Sequence, residues 1–252
     1  MITQEALQQR PLSYSSLKEF GKSPAHYIEY LRKERKSTPA MLFGSMVHCI
    51  ILQPDQFDNQ YAVMENVDRR TKEGKAKYEE FLIASAGKEV VTEEQHAEVA
   101  LLCNKVLSMP HIKTLVDNCH SFEQEWKKDI NGLPFRGFFD GIADDYILEI
   151  KTTNDASPKN VTNDFFNRQY HIQGGLYNHV SGKNIKYLII ETSAPYNVMV
   201  ADADSEFLKK GMDEVLRLSN DFNACMQGDM FDMGYDFYTE GHFTINLPSW
   251  VK

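Results

Sequence analysis

Asp140, Glu149 and Lys151 are the residues whose types and spacing point most directly to chemistry. Asp140 closes the run Arg136-Gly-Phe-Phe-Asp, and the other two lie in Tyr146-Ile-Leu-Glu-Ile-Lys-Thr-Thr. Both runs read as buried strands, although strand propensity does not favour Asp, Glu or Lys. Charges in such places are costly unless they are paired or hold a metal. Asp144-Asp145 interrupts the runs and reads as the centre of a hairpin. That register sets Ile142 against Ile147 and Asp140 against Glu149. Opposed residues place their Cβ atoms about 4.5–5.5 Å apart, so both carboxylates reach one divalent cation. Lys151 lies two places after Glu149 and shares its face, while Leu148 and Ile150 point into a core.

Carboxylates select hard cations such as Mg²⁺ or Mn²⁺, which keep several waters and bind substrate phosphate. Such a cation polarises a phosphoryl oxygen and lowers the pKa of water. A lysine beside it can orient that water or offset charge in the transition state. The triplet alone fits a structural Lys–Glu pair beside a turn aspartate equally well.

Two further pieces have the right chemistry. Leu42-Phe-Gly-Ser-Met-Val-His-Cys-Ile-Ile-Leu52 reads as an apolar helix stopped by Pro54, with Gly44 and His48 on one face. Neutral imidazole ligates metals, and a lone core histidine is the competing reading. In Arg168-Gln-Tyr-His-Ile-Gln-Gly-Gly-Leu-Tyr177, Gln173 and Tyr177 share a helical face. The glycine pair there permits tight packing or the approach of a DNA backbone.

The elements that must position these groups follow from local signals. Residues 13–35 read as one helix or a pair broken at Ser23-Pro24. Thr92-Glu-Glu-Gln95 is a capping box opening a helix to Met109, with Pro110 as its stop. Residues 122–130 and 133–142 read as strands joined by Asn131-Gly132, a hairpin signal. That register sets Glu123 opposite Asp140 as a possible additional acid, and a slip of one residue turns it away. Strands near 186–192 and 196–201 and a helix over 205–226 complete an α/β domain. A mixed central sheet with helices on both faces is expected, in one domain over residues 1–252.

Gly44…His48, then Asp140, Glu149 and Lys151, then Gln173…Tyr177, together resemble the RecB-like branch of the PD-(D/E)XK nucleases. The resemblance is closer still to the nuclease domain of the RecE (exonuclease VIII) family. It is carried also by Leu12-Ser-Tyr-Ser-Ser-Leu-Lys18, Ser23-Pro-Ala-His-Tyr27, Leu52-Gln-Pro-Asp-Gln-Phe57, Arg69-Arg-Thr-Lys-Glu-Gly-Lys75 and Leu247-Pro-Ser-Trp-Val-Lys252. The ordered set spans nearly the whole chain.

The resemblance implies a PD-(D/E)XK core in which His48, Asp140, Glu149 and the Ile150 backbone carbonyl bind metal, Mg²⁺ or Mn²⁺, as two ions per site. It implies that Lys151 assists the attacking water, and that Gln173 and Tyr177 support the site or contact DNA. Glu149 stands where RecE-like proteins can carry Asp, a departure that bears only on fine metal geometry. The implied activity is 5′→3′ exonuclease digestion of linear double-stranded DNA, leaving 3′ single strands for a single-strand annealing protein in recombination. A ring-shaped homo-oligomer and a phage origin in a bacterial host cell are implied as well. The rival readings are a RecB-like nuclease for single strands or flaps, and a catalytically inactive DNA-end-binding module. Without a large N-terminal extension, the nuclease module by itself is expected.

Composition narrows the field. The net charge of −9 argues against a passive DNA-coating protein, since most nonspecific DNA binders are basic. It fits an enzyme that concentrates its positive charge locally. Arg69, Arg70, Lys72 and Lys75, with Lys77 beyond them, form the best basic cluster and the candidate DNA-binding segment, or else a solvated loop and helix start. No apolar run is long enough to span a membrane, and the N-terminus lacks a signal pattern, so a cytoplasmic protein is expected. Cys49, Cys103, Cys119 and Cys225 are scattered without CxxC spacing, so no zinc site is expected. Some RecB-like relatives hold an iron–sulfur cluster on one early and three late cysteines. Here Ser23 precedes Pro24 where they have cysteine, and only Cys225 lies late, so no iron–sulfur cluster is expected.

Overall fold

The computed structural model describes residues 4–34, 37–239 and 241–247. Arg35, at the end of the expected N-terminal helices, and residues 248–252 of the last resembling stretch lie outside them. A short parallel pair, β1 (Tyr61–Met64) and β2 (Glu89–Thr92), stands apart from the main sheet. The main sheet comprises β3 (Ser121–Ile130), β4 (Leu133–Ile142), β5 (Tyr146–Thr153), β6 (Asn184–Glu191) and β7 (Val198–Asp202), in that spatial order. β3, β4 and β5 pair antiparallel, β5 and β6 parallel, and β6 and β7 antiparallel. The sheet is therefore mixed, as expected. The parallel step requires a crossover, made by the helices Pro158–Asn167 and Tyr170–Ser181.

Alternation along β5 builds two cores. Ile147 joins Leu17, Phe20, Tyr27, Leu176 and Phe222 on one face. Leu148 and Ile150 join Met46, Val47, Leu102 and Ile112 on the other. The first face is covered by Tyr14–Phe20, Pro24–Arg32, Tyr170–Ser181 and Ser205–Gly228, the second by Pro39–Leu52, Glu93–Leu107 and Pro110–Asp117. Ser23 caps the Pro24–Arg32 helix through its side chain. Thr92 and Gln95 form the capping box in both directions. Pro110 differs from its expected role: the preceding helix ends at Leu107, and Pro110 opens a new one. Its missing N–H costs nothing at a first helical position.

The glycine pair at 174–175 serves helix packing. A Cβ at Gly175 would lie 2.7 Å from the Gly211 backbone carbon, so the Tyr170–Ser181 and Ser205–Gly228 helices meet backbone to backbone. That contact fixes the helix carrying Gln173 and Tyr177. No helix among the described residues is long and apolar enough to cross a membrane.

Candidate active site

The β3–β4–β5 registers fall where the sequence puts them, but both ladders break at the acids. Ile142 faces Ile147 and Gly141 faces Leu148, and the β4–β5 pairing stops there. Beyond it, the Ile150 N–H donates to Asp140 Oδ2 at 2.8 Å, so a side chain takes the place of a backbone acceptor. On the β3 side Phe122–Gly141 and Gln124–Phe139 pair while Glu123–Asp140 is skipped. Glu123 has φ 49°, a left-handed conformation unusual in a strand. The strands pivot at this point. Phe139 packs in the first core, whereas a Cβ on Gly141 would meet Cys119 of the second. Regular alternation would keep 139 and 141 on one face. The break opens the sheet and frees carboxylates from ladder geometry.

A cleft of about 990 Å³ lies over this break, with His48, Glu123, Asp140, Ile150 and Lys151 in its wall. His48 comes from the Pro39–Leu52 helix, which approaches β5 closely at Gly44. A Cβ at Gly44 would sit 3.3 Å from Thr152 Oγ1. His48 Nδ1 lies 3.4 Å from Asp140 Oδ2 and 4.0 Å from Glu123 Oε1. One donor atom from each of His48, Glu123 and Asp140 lies within 4.8 Å of the others. The Ile150 backbone favours the charged form of His48 and lines the same cleft, so this backbone group also belongs to the site. Glu123, an open question on sequence alone, thus sits beside Asp140.

Glu149 is buried beneath the cleft lining and stands outside that three-donor group. Its Oε1 accepts from Lys151 Nζ at 2.7 Å and from Gln173 Nε2 at 2.6 Å. Gln173 Nε2 also donates to the Tyr177 hydroxyl at 3.2 Å. Gln173 and Tyr177 are buried behind Glu149, which suits a supporting role and keeps them from a bound polymer. Glu149 Oε2 and Gln173 Oε1 are buried with no hydrogen-bond partner.

Electrostatics mark the same spot. Burial, aided by Asp140 and Glu149, pushes Glu123 up to about 7. Burial raises Asp140 to about 6 against the opposing pull of Lys151 and the Ile150 N–H. Burial and then Asp140 raise Glu149 to about 7. Burial would lower the Lys151 ammonium, but Glu149 and Asp140 outweigh it and hold it above its ordinary value. His48 is lowered to about 4, by burial first and Lys151 second, although 26% of its side chain stays accessible. It is therefore neutral near pH 7, with a lone pair to offer.

The donors fit a hard or borderline divalent cation: crowded carboxylates, one neutral imidazole and an orphaned buried carboxylate oxygen. Asp140 raises both Glu123 and Glu149, a crowding of negative charge that a cation would relieve.

Arg69, Arg70, Lys72 and Lys75 do not line the cleft. They occupy the turn before the Lys72–Ala84 helix and that helix's first turn, all exposed. Arg70 is held by Asp68 at 2.9 Å, and Arg69 lies over the Tyr78 ring. Cleft residues not singled out from sequence include Phe138, Arg168 and Tyr170. Phe138 stands two places before Asp140, a spacing that could have flagged it, whereas the crossover brings Arg168 and Tyr170 to the cleft.

An acidic pair and a lysine on a broken β-hairpin, inside a mixed sheet flanked by helices, define a PD-(D/E)XK-type core. Residues 13–233 match the family described as "PDDEXK-like domain of unknown function (DUF3799)", and the chain belongs to that family. Among solved structures, the crystal structure of a "Putative exonuclease" from Eubacterium rectale is similar. It superposes with a TM-score of 0.61 at 13% identity, covering 90% of this chain and 85% of that one. At that identity the likeness shows the fold. A structure of SSO0001 aligns at 12% identity over 74% of this chain and 94% of that one, with a TM-score of 0.28. No curated protein matches the sequence.

Proposed function

We propose that this protein is a divalent-metal-dependent nuclease that hydrolyses DNA phosphodiester bonds. The observation that carries the reading is the junction of Asp140, Glu149 and Lys151 under the cleft, with His48 and Glu123 beside them. His48, Glu123, Asp140, Glu149 and the Ile150 carbonyl are the groups that would hold Mg²⁺ or Mn²⁺. A cation bound there supplies a Lewis acid for a phosphoryl oxygen and lowers the pKa of water.

The chain's own groups do the rest. Lys151 keeps its proton and presents positive charge where the phosphorane's negative charge develops, and its N–H groups orient the attacking water. Gln173 holds the Glu149 carboxylate from behind, and Tyr177 braces Gln173. Neutral His48 offers a ligand without adding charge.

The proposed substrate is linear double-stranded DNA, digested 5′→3′ to leave 3′ strands for a single-strand annealing partner. A ring of identical subunits is the proposed assembly. These finer features rest on the RecE-like resemblance of the motifs, and the exonuclease name of the Eubacterium rectale structure is consistent with them.

The test is digestion of linear duplexes labelled at either end, alongside closed circles and single strands, with Mg²⁺ or EDTA. The expected result is Mg²⁺-dependent release from 5′ ends of linear duplex, with circles intact. Preferential loss of single strands or flaps would move the substrate assignment, and no cleavage under any metal would remove the nuclease reading.

A further inference from the structure

The Lys151 ammonium has a second neighbour besides Glu149. Its Nζ lies 4.6 Å from the centroid of the Tyr170 ring, within the range where a cation is attracted to an aromatic face. We infer that Tyr170 is a positioning residue for Lys151: its ring, not its hydroxyl, holds the ammonium against Glu149 at the cleft floor. The inference rests on the nuclease reading for its kinetic consequence and on geometry alone for the contact.

Several observations converge on that ring. Tyr170 begins the helix that carries Gln173, and the residue before it, Gln169, has φ 62°. A left-handed conformation at a non-glycine residue is uncommon, and here it turns the chain so that the helix starts beside β5. Phe165 meets the Tyr170 ring edge-on at 5.1 Å, and Tyr14 lies 6.2 Å away on the Tyr14–Phe20 helix. The Tyr14 hydroxyl donates to the Arg168 carbonyl, tying that helix to the same turn. The Tyr170 carbonyl accepts from the Tyr187 hydroxyl at 3.3 Å. A ring packed against two others, on a backbone held at its own carbonyl, thus underlies a lysine with a flexible four-carbon stem.

That stem explains why a platform is useful. A free lysine side chain spreads over many rotamers, and catalysis by an oriented charge needs one geometry. Glu149 holds the ammonium by a single hydrogen bond at 2.7 Å, and that carboxylate is also a proposed metal ligand. A ring contact attracts the ammonium without taking a carboxylate oxygen from the cation. One helix thereby positions both halves of the Glu149–Lys151 pair, through Gln173 on the carboxylate and Tyr170 on the ammonium. Removing the ring should act on turnover and leave metal and DNA binding in place.

The experiment compares Tyr170→Phe, Tyr170→Leu and Tyr170→Met in the full chain, alone and with Lys151→Ala. Tyr170→Phe should keep kcat. Tyr170→Leu and Tyr170→Met should lower kcat by about five- to thirtyfold, the range of a partly desolvated cation–π contact, with KM and Mn²⁺ affinity unchanged. In the Lys151→Ala background neither should cost anything more, because the ring acts through the lysine. Separately, the metal-free protein with ¹³C-labelled lysine should show an upfield-shifted Lys151 ε-CH₂ signal, identified by its loss in Lys151→Ala. The shift should persist in Tyr170→Phe and vanish in Tyr170→Met. An equal loss of kcat in Tyr170→Phe would make the hydroxyl the active group, and a change in KM would make Tyr170 a DNA contact. Either outcome, unchanged kcat in both aliphatic variants, or an unshifted lysine signal in the parent protein overturns the proposal. A shifted signal in a protein that cleaves no DNA would keep the contact and reject the nuclease reading instead.

Discussion

Glu149 on β5 and Glu191 at the end of neighbouring β6 are both almost sealed from solvent, at 3% and 8% exposure, yet they are held in opposite ways. Glu191 accepts from the Ala156 N–H and the Asn197 N–H, each at 3.0 Å. Those hydrogen bonds hold its pKa below the ordinary value. It is a satisfied structural anion that ties two loops to the strand end. Glu149 shares one oxygen between Lys151 and Gln173, leaves the other without a partner, and sits among Asp140 and Glu123. Its pKa is raised to about 7, by burial and then by Asp140. Burial of a carboxylate is thus no mark of function in itself. The mark is negative charge that the protein leaves unbalanced, which a divalent cation would balance.

The largest effect expected from this contrast is on cleavage. Asp140→Asn or Glu149→Gln should lower phosphodiester cleavage by about a hundredfold or more, on the scale of removing one charge-stabilising group from a preorganised site. Circular dichroism should show the fold retained. Glu191→Gln should leave metal-dependent turnover far closer to the parent while lowering the melting temperature. Lys151→Ala should lose turnover and still bind Mn²⁺ in calorimetry, because the amine presents charge and holds no cation. Loss of Mn²⁺ binding equal to that of Asp140→Asn would contradict the role given to it.

Stability should vary with pH in opposite directions at the two places. In metal-free protein Asp140, Glu123 and Glu149 have folded pKa values of about 6, 7 and 7, above their ordinary 3.8, 4.5 and 4.5. Between those limits the folded state holds more protons than the unfolded, so this cluster reduces stability as pH rises from about 4 to 7. Glu191 is depressed, so its contribution is present above its ordinary 4.5 and is lost as pH falls through its lower folded value. Melting temperatures of metal-free Asp140→Asn and Glu191→Gln across pH 3–8 separate the two. The first should gain stability relative to parent near neutrality, and the second should lose it there and converge toward the parent in acid.

The smallest effect is expected at the exposed basic segment. Arg69→Ala with Arg70→Ala should lower the salt slope of DNA binding in Ca²⁺ by no more than about two, the value for two phosphate contacts. Metal binding should not change. An unchanged slope would leave the segment as a solvated turn, which its absence from the cleft lining and the Arg70–Asp68 pair already favour.

What could be read from sequence follows the same physics. Asp140, Glu149 and Lys151 stood out because charges interrupt apolar strands, and the Asp144-Asp145 and Asn131-Gly132 turns set registers that the ladders bear out. The pivot at Glu123 was not legible, because a left-handed residue in a strand leaves no mark when that residue is a glutamate. The Tyr170 platform was hidden for a different reason. It depends on the crossover bringing a helix start over β5, a long-range event that local spacing does not encode. The basic cluster was visible as a pattern but not as a place, since exposed charges carry no burial constraint to locate them.

If the crowded acids under the cleft hold a cation, calorimetric titration of Mn²⁺ into metal-free protein at pH 6 and pH 8 will register it. The prediction is saturable binding that tightens at pH 8, releases protons at pH 6 as the raised carboxylates lose theirs, and disappears or weakens sharply in Asp140→Asn. Absence of saturable binding, or binding that Asp140→Asn leaves untouched, would mean that these acids hold no cation.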